Sequence, residues 1–146
     1  MKSFKGPFYI CGVKYPKMLD NGKTKAVSEN YVVSALSFTE AEANIIQNIS
    51  PYANDLSVES IKKATFSEIF IPENEAYDKW YIAKLDFIVI DEKSGKEKKQ
   101  KVCYLVNASN LGNAIMNVDK AMRGTMIDYR NVAVTESDIL DVFNNG

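Results

Sequence analysis

Lysines cluster at two places in this sequence, and each cluster surrounds a glycine that follows a small polar residue. The segment from Lys93 to Lys101 contains five lysines and one acid, Glu97, which gives a net charge of +4 over nine residues. The second cluster surrounds Gly22 and consists of Lys14, Lys17, Lys23 and Lys25. A local positive field attracts polyanions even when the whole chain, with a net charge of −1, is nearly neutral. The pattern therefore predicts contacts with phosphate groups.

Two aromatic residues precede these clusters at corresponding places. Phe8 lies on the same strand face as Lys14, and Trp80 on the same face as Lys84, because alternate strand residues point to one side. An aromatic face beside lysines is a stacking platform for unpaired bases. The predicted nucleic-acid site consists of Phe8, Lys14, Lys23, Lys25, Trp80, Lys84, Lys96, Lys98, Lys99 and Lys101. Two alternatives stay open: the rings pack on the other half of the chain or on a neighbouring subunit, and the lysines only keep the hairpin tips soluble and protected from edge-to-edge strand pairing.

A second candidate anion site lies at the start of a predicted helix. Ser109, Asn110 and Asn113 surround its first turn, where backbone N–H groups are available to a phosphate. The alternative is that these side chains cap the helix without a ligand.

The residue types that are missing exclude several chemistries. The chain has no histidine, so Ser-His-Asp triads, Cys-His pairs and histidine-ligated metals are excluded. Two cysteines are too few for an all-cysteine zinc site, and no glycine-rich phosphate loop is present. We therefore expect no enzymatic activity, no cofactor and no metal.

The composition also bears on cellular location. Cys11 and Cys103 lie in separate strand-like runs, which favours buried free thiols in a reducing compartment. No run approaches the roughly 18 apolar residues of a membrane span, and Met1–Lys5 is not followed by the apolar core of a signal peptide. We expect a cytoplasmic protein without a membrane partner.

The second half of the chain repeats the first. At an offset of 73 residues, positions 31–49 fall on positions 104–122, and five of these nineteen positions are identical. The string Glu68-Ile69-Phe70 falls on Asp141-Val142-Phe143 at the same offset. In the first strand of each half, before the glycine turn, the offset is 72 residues, so that Phe8 falls on Trp80. The order of these matches along the chain indicates an internal duplication.

Each half predicts the same elements in the same order. Alternating apolar residues indicate two strands joined by a turn whose glycine, Gly22 or Gly95, supplies a positive φ. A helix follows, and in the first half Ser37 and Glu40 form a capping-box pattern at its start. A third strand comes after each helix. The predicted helix and third strand span 38–49 and 58–66 in the first half, and 111–122 and 127–134 in the second.

These elements predict an α+β fold of two tandem ββαβ repeats, residues 1–71 and 79–146, joined by a linker at 72–78. About six strands form one or two antiparallel sheets covered by two helices, with pseudo-twofold symmetry between the repeats. A repeat of about 70 residues buries little core alone, so we expect one compact domain. A shared sheet, strands exchanged between halves or chains, and a homodimer stay open.

Several strings resemble a known family. They are the N-terminal hairpin, the helix start Ala-Leu-Ser-Phe-Thr-Glu-Ala-Glu-Ala at 35–43, the turn at 91–95 and the closing string at 141–143. Over nearly the whole chain, the sequence resembles a domain-of-unknown-function family of Bacteroidetes bacteria and their phages. The resemblance implies a small, non-secreted protein from such a bacterium or phage, and it implies neither an activity nor site residues.

The residues together predict a non-enzymatic nucleic-acid-binding protein whose partner is a single strand. One alternative is a phage-encoded protein that sequesters a small anionic nucleotide in a pocket between repeats or subunits. Another is a structural or adaptor protein. The expected location is the cytoplasm, which is the host cytoplasm if a phage encodes the protein.

Overall fold

The chain folds into two compact units that exchange segments of sequence. The computed structural model describes residues 1–73 and 77–144. The N-terminal unit consists of Gly6–Ala64 and the chain from Asp138 onward, and the C-terminal unit consists of Met1–Lys5 and Thr65–Ser137. Each unit has one sheet and one helix.

The described residues contain nine strands and two helices. In chain order the elements are β1 Lys2–Lys5, β2 Phe8–Met18, β3 Thr24–Ser34, α1 Phe38–Ile49, β4 Ser57–Lys63, β5 Glu68–Ile71, β6 Lys79–Ile90, β7 Glu97–Ala108, α2 Leu111–Met122, β8 Asp128–Glu136 and β9 Ile139–Phe143.

The sheet of the N-terminal unit has the strand order β4-β2-β3-β9. Strand β2 pairs antiparallel with β3 and β4, whereas β9 pairs parallel with β3. Helix α1 covers one face, where Tyr9, Cys11 and Val13 form a core cluster with Ala41 and Ile45. The predicted alternation of this strand is confirmed, because the apolar odd-numbered residues face the helix.

The sheet of the C-terminal unit has the strand order β1-β5-β7-β6-β8. Strand β6 pairs antiparallel with β7 and β8, and β5 pairs parallel with β7 and antiparallel with β1. Helix α2 covers one face, where Ala83, Leu85 and Val106 form a core cluster with Val118 and Met122. The two units therefore each have a core between one helix and one sheet face.

The two halves of the sequence exchange their closing strands. Strand β5 follows β4 along the chain but pairs with β7, and β9 is the last strand along the chain but pairs with β3. Strand β1 pairs with β5 and so also belongs to the C-terminal unit. The sequence left this exchange open, and because of it the compact units do not coincide with residues 1–71 and 79–146.

The α+β class, with two helices and two sheets that are mostly antiparallel, is confirmed. The helices have their predicted bounds, but the described residues hold more strands than the six expected, because β1, β5 and β9 are short separate strands. The third strands run over Ser57–Lys63 and Asp128–Glu136 rather than 58–66 and 127–134. The predicted linker at 72–78 lies partly outside the described residues.

Local sequence explains the hairpin turns and the helix starts. Gly22 and Gly95 have φ angles of 81° and 67°, which glycine adopts without a Cβ clash. The Ser37 hydroxyl accepts a hydrogen bond from the backbone N–H of Glu40 at 3.1 Å. The Glu40 carboxylate in turn accepts one from the N–H of Leu36 at 3.3 Å. The first bond confirms Ser37 as the N-cap, whereas Glu40 reaches back to the N–H of the residue before the cap and not to that of Ser37 itself.

Candidate anion-binding site

All eight lysines of the predicted nucleic-acid site are exposed on the two long hairpins, β2–β3 and β6–β7. They are Lys14, Lys23, Lys25, Lys84, Lys96, Lys98, Lys99 and Lys101. Among the described residues only one of the eight, Lys98, has an ion pair, with its Nζ 3.4 Å from a carboxylate oxygen of Asp91. The pKa of Asp91 is lowered mainly by a hydrogen bond from the backbone N–H of Lys93, and Lys98 adds less. The other seven ammonium groups are available to an anionic partner.

The lysines of the β6–β7 hairpin divide between the two faces of their sheet. Val102 and Tyr104 pack in the core under α2. Because successive strand residues alternate, Lys99 and Lys101 lie on the face opposite α2, whereas Lys98 lies on the same side as α2. The hairpin therefore has positive charge on both faces.

The β2–β3 hairpin is divided in the same way. Its residues Cys11 and Val13 pack against α1, so Lys17 and Lys25 lie on the α1 side and Lys14 on the opposite side. Lys17 and Lys25 are directly opposite each other in the ladder. Like charges in that position repel, and a bound anion would relieve the repulsion.

Phe8 and Trp80 do not form a stacking platform, which corrects the prediction made for them. Their exposed fractions are 1% and 5%. Because strand residues alternate, both rings lie on the sheet face away from the helix, as predicted. Near the base of each hairpin, however, this face is buried as well. Val32 and Leu105, which lie on the same face, are both 0% exposed. Burying an aromatic side chain contributes about 1.5–3 kcal/mol, so these rings stabilise the fold instead of facing a nucleic acid.

The three residues of the predicted phosphate site at α2 form a helix cap. The side-chain oxygen of Asn110 accepts from the N–H of Asn113 at 2.8 Å, and that of Asn113 accepts from the N–H of Ser109 at 3.0 Å. Two backbone N–H groups on which a phosphate would depend thus already have acceptors, as the capping alternative predicts.

The C-terminal unit contains a groove that was not predicted as a site. Its volume is about 530 Å³, and its walls include Thr65, Lys84, Asp86, Lys101, Cys103 and Val132. Four of these residues lie on the face of β6 and β7 opposite α2, since Lys84 is directly opposite Cys103 and Asp86 directly opposite Lys101. We refer to this feature as the lysine groove.

The charges in the lysine groove are unevenly compensated. Asp86 is only 7% exposed, and its carboxylate lies 3.2 Å from the guanidinium of Arg130. Lys84 and Lys101 have no ion pair within the described part of the chain. As diagonal neighbours on paired strands, their backbones are about 7–8 Å apart. The groove therefore holds two uncompensated positive charges within reach of one ligand.

A neutral wall completes the lysine groove. The Thr65 hydroxyl lies 3.9 Å from the Cys103 thiol, and Val132 is 53% exposed. The four ladder residues could have been grouped from the hairpin register alone. Thr65 could not, because it reaches this place only through the strand exchange at β5.

The N-terminal unit has a different concavity, of about 430 Å³, between its hairpin and the loop after α1. Its walls include Tyr15, Lys17, Met18, Tyr52 and Asp55. Tyr52 is 84% exposed. A hydrogen bond to Glu29 is the largest cause that raises the pKa of Tyr15, to about 12. This concavity thus places an exposed ring beside Lys17, although with an acid nearby.

Neither of the two thiols has a metal-ligand set around it. In the residues that the structure describes, no group of three or more histidine, cysteine or acidic side chains is placed to hold a metal ion. Burial raises the pKa of the Cys11 thiol to about 11. Cys103 is partly exposed in the lysine groove, and both thiols are free.

Neither helix of the described residues has the length and apolar character that a membrane span requires.

The fold and its charged surfaces define an α+β protein with two helix-covered sheets and exposed, mostly unpaired lysines on long hairpins. The chain belongs to the family described as a domain of unknown function, DUF4494, whose sequence profile matches residues 7–145. Comparisons with curated proteins and with solved structures found no match. The expected membership of a domain-of-unknown-function family is confirmed.

Proposed function

We propose that this is a non-enzymatic nucleic-acid-binding protein whose hairpin lysines contact the phosphates of a single strand. The observation that carries the proposal is the exposure of all eight predicted lysines, seven of them without an ion pair in the described residues. Phosphate contacts supply most of the affinity of sequence-independent binding. The proposed mode therefore needs no base-specific side chains.

Phe8 and Trp80 are not part of this proposal, so stacking must come from another ring. Tyr52 is the exposed aromatic residue that shares a concavity with a hairpin lysine, Lys17. Stacking of a base on an aromatic side chain contributes about 1–3 kcal/mol. We propose that Tyr52 supplies this contact and that Lys17 and Lys25 bind the adjoining phosphates.

The finer architecture is also a proposal: the chain is a duplicated ββαβ unit. In support, Glu68 lies opposite Tyr104 and Asp141 opposite Tyr31, which are the same pair of positions at the offset of the repeat. The β2–β4 ladder is irregular at Gly12/Val13 and the β6–β8 ladder at Lys84/Leu85, again at matching positions.

We also propose a cytoplasmic location, because both cysteines are free thiols and a reducing compartment keeps thiols free.

Fluorescence anisotropy with labelled single-stranded and double-stranded oligonucleotides tests the function. We expect tighter binding of the single strand, with affinity falling about tenfold or more between about 50 and 200 mM salt because bound counterions are released. The variant with Lys17→Gln and Lys25→Gln is expected to reduce the slope of log affinity against log salt by about 2.

Tyr52→Ala is expected to weaken binding of the single strand by about 1–3 kcal/mol while leaving the salt slope unchanged. The variant with Lys62→Gln and Lys63→Gln removes two exposed lysines outside both hairpins, so it is the control matched in charge to the double lysine variant and should have little effect. Absent binding, or binding that is indifferent to salt, would overturn the proposal.

A further inference from the structure

We infer that the lysine groove of the C-terminal unit binds a small phosphate-bearing ligand of nucleotide size. This site is distinct from the proposed Tyr52 contact, which lies in the N-terminal unit. The inference rests on the arrangement of charges, the size of the groove and the chemistry of its neutral wall.

The charges favour a dianion rather than a cation. Lys84 and Lys101 approach the groove from paired strands, and the groove carboxylate, Asp86, is already bonded to Arg130. Because Asp86 is engaged, it neither neutralises the lysines nor repels an anion strongly. A terminal phosphate has enough oxygens to accept hydrogen bonds from both ammonium groups at once.

The size and the wall favour a phosphate attached to an organic group. A volume of about 530 Å³ is within the range of roughly 300–1,000 Å³ that is usual for small-molecule sites, and it exceeds what inorganic phosphate fills. Val132 offers apolar surface to a base or sugar, and the Thr65 hydroxyl offers a hydrogen bond. A nucleoside monophosphate or diphosphate combines these features.

The corresponding place in the N-terminal unit cannot hold such a ligand in this way. At the offsets of the repeat, Gly12 and Ser28 stand where the groove has Lys84 and Lys101. A Cβ atom at Gly12 would lie 2.5 Å from the hydroxyl oxygen of Ser60. A lysine there would require Ser60 to move, so the lysine pair is specific to the C-terminal unit.

Isothermal titration calorimetry of the full chain with AMP, ADP and inorganic phosphate tests the inference. We expect the nucleotides to bind at least tenfold more tightly than inorganic phosphate. The variant with Lys84→Gln and Lys101→Gln should lose at least tenfold in nucleotide affinity. The variant with Lys5→Gln and Lys120→Gln, which removes as much charge from exposed positions of the same unit outside both hairpins, should bind as the parent does.

Labelling of Cys103 provides a second readout that does not depend on the lysine variants. Cys103 is partly exposed in the groove whereas Cys11 is 0% exposed, so a thiol reagent such as DTNB reports on the groove, and Cys103→Ser gives the background. Saturating ADP should slow labelling of Cys103 at least fivefold. Failure of every nucleotide to bind or to protect the thiol, or equal loss in both lysine variants, overturns the inference. That result would not exclude oligonucleotide binding through Tyr52, so either proposal can be rejected without the other.

Discussion

Four strands of each unit have the same order, β4-β2-β3-β9 and β8-β6-β7-β5, and β1 is an additional strand of the C-terminal unit. The concavities of the two units lie on opposite faces of these sheets relative to the helix. In the N-terminal unit the concavity lies on the α1 side of the hairpin, between Tyr15 and the loop of Tyr52. In the C-terminal unit the groove lies on the face opposite α2, around Lys84 and Lys101. The two units thus differ in which face of the sheet has a concavity and in the polar side chains that line it.

The difference extends to the polar groups that attach each helix to its sheet. Asn117 donates to the carbonyl of Asn107 at 3.0 Å, and Asn44 donates to the carbonyl of Ser34 at 2.9 Å, which is the same bond at the repeat offset. Asn117 is 2% exposed, whereas Asn44 is half-buried. Asn107 itself is buried and bonds to the backbone of Tyr77. The C-terminal unit therefore has the more buried amide network.

The largest effect we predict concerns buried side chains in the two cores. The loss in the free energy of unfolding should increase with the number of side-chain carbon atoms that a substitution removes. Ile45 and Val118 hold the same place in α1 and α2 and are 0% and 1% exposed. Ile45→Ala should lower the free energy of unfolding by about 2–5 kcal/mol. Val118→Ala removes one carbon fewer and should cost about 0.8 kcal/mol less. Urea unfolding followed by circular dichroism measures both, and a cost below about 1 kcal/mol for Ile45→Ala would contradict the assigned core.

The predictable part of this fold is the part governed by neighbours in sequence. The alternation of apolar and polar residues predicted the hairpin strands, and the glycine turns predicted where these strands end. Ser37 and Asn110 indicated where the two helices begin. Strand parity also placed Phe8 and Trp80 on the correct face. Parity cannot show whether that second face is buried, because burial depends on what packs there rather than on the strand's own residues.

The exchange of β5 and β9 shows the same limit from another direction. The closing strings Glu68-Ile69-Phe70 and Asp141-Val142-Phe143 were recognisable as equivalent, but their pairing partners lie far along the chain. Local patterns carry no information about which of two similar strands, β3 or β7, a short apolar strand will join. The Thr65 side of the lysine groove could not be predicted for this reason, since Thr65 reaches the groove through that exchange.

A smaller effect should distinguish the two helix attachments. Asn117→Ala leaves the buried carbonyl of Asn107 without this donor and should lower the free energy of unfolding by about 1–3 kcal/mol. Asn44→Ala should cost less, about 0.5–1.5 kcal/mol, because water reaches the half-buried site. Thermal and urea unfolding of the two variants give the comparison. Equal costs, or a larger cost at Asn44, would show that burial does not separate the units.

The smallest effect we predict concerns the loss of stability at alkaline pH. Each unit has a tyrosine whose hydroxyl is hydrogen-bonded to an acidic side chain. The pKa values of Tyr15 and Tyr129 are both raised to about 12, but for different main reasons. The hydrogen bond to Glu29 is the largest cause for Tyr15, whereas burial is the largest cause for Tyr129 and Asp119 comes second. Glu29→Gln should therefore lower the pKa of Tyr15 by more than Asp119→Asn lowers that of Tyr129.

The sign of the pH effect follows from which form the folded state prefers. A raised pKa means that the folded protein keeps the phenol proton more tightly than the unfolded chain, whose value is 10.0. The associated stability is complete below pH 10 and is lost as the pH rises toward 12. Glu29→Gln should make this alkaline loss shallower, because less of the shift remains to be lost. Carbon-13 labelling of the tyrosine rings, read by NMR between pH 9 and about 12.5, follows each phenol separately. If both substitutions moved their tyrosines equally, the acid next to Tyr15 would have no special role in the N-terminal unit.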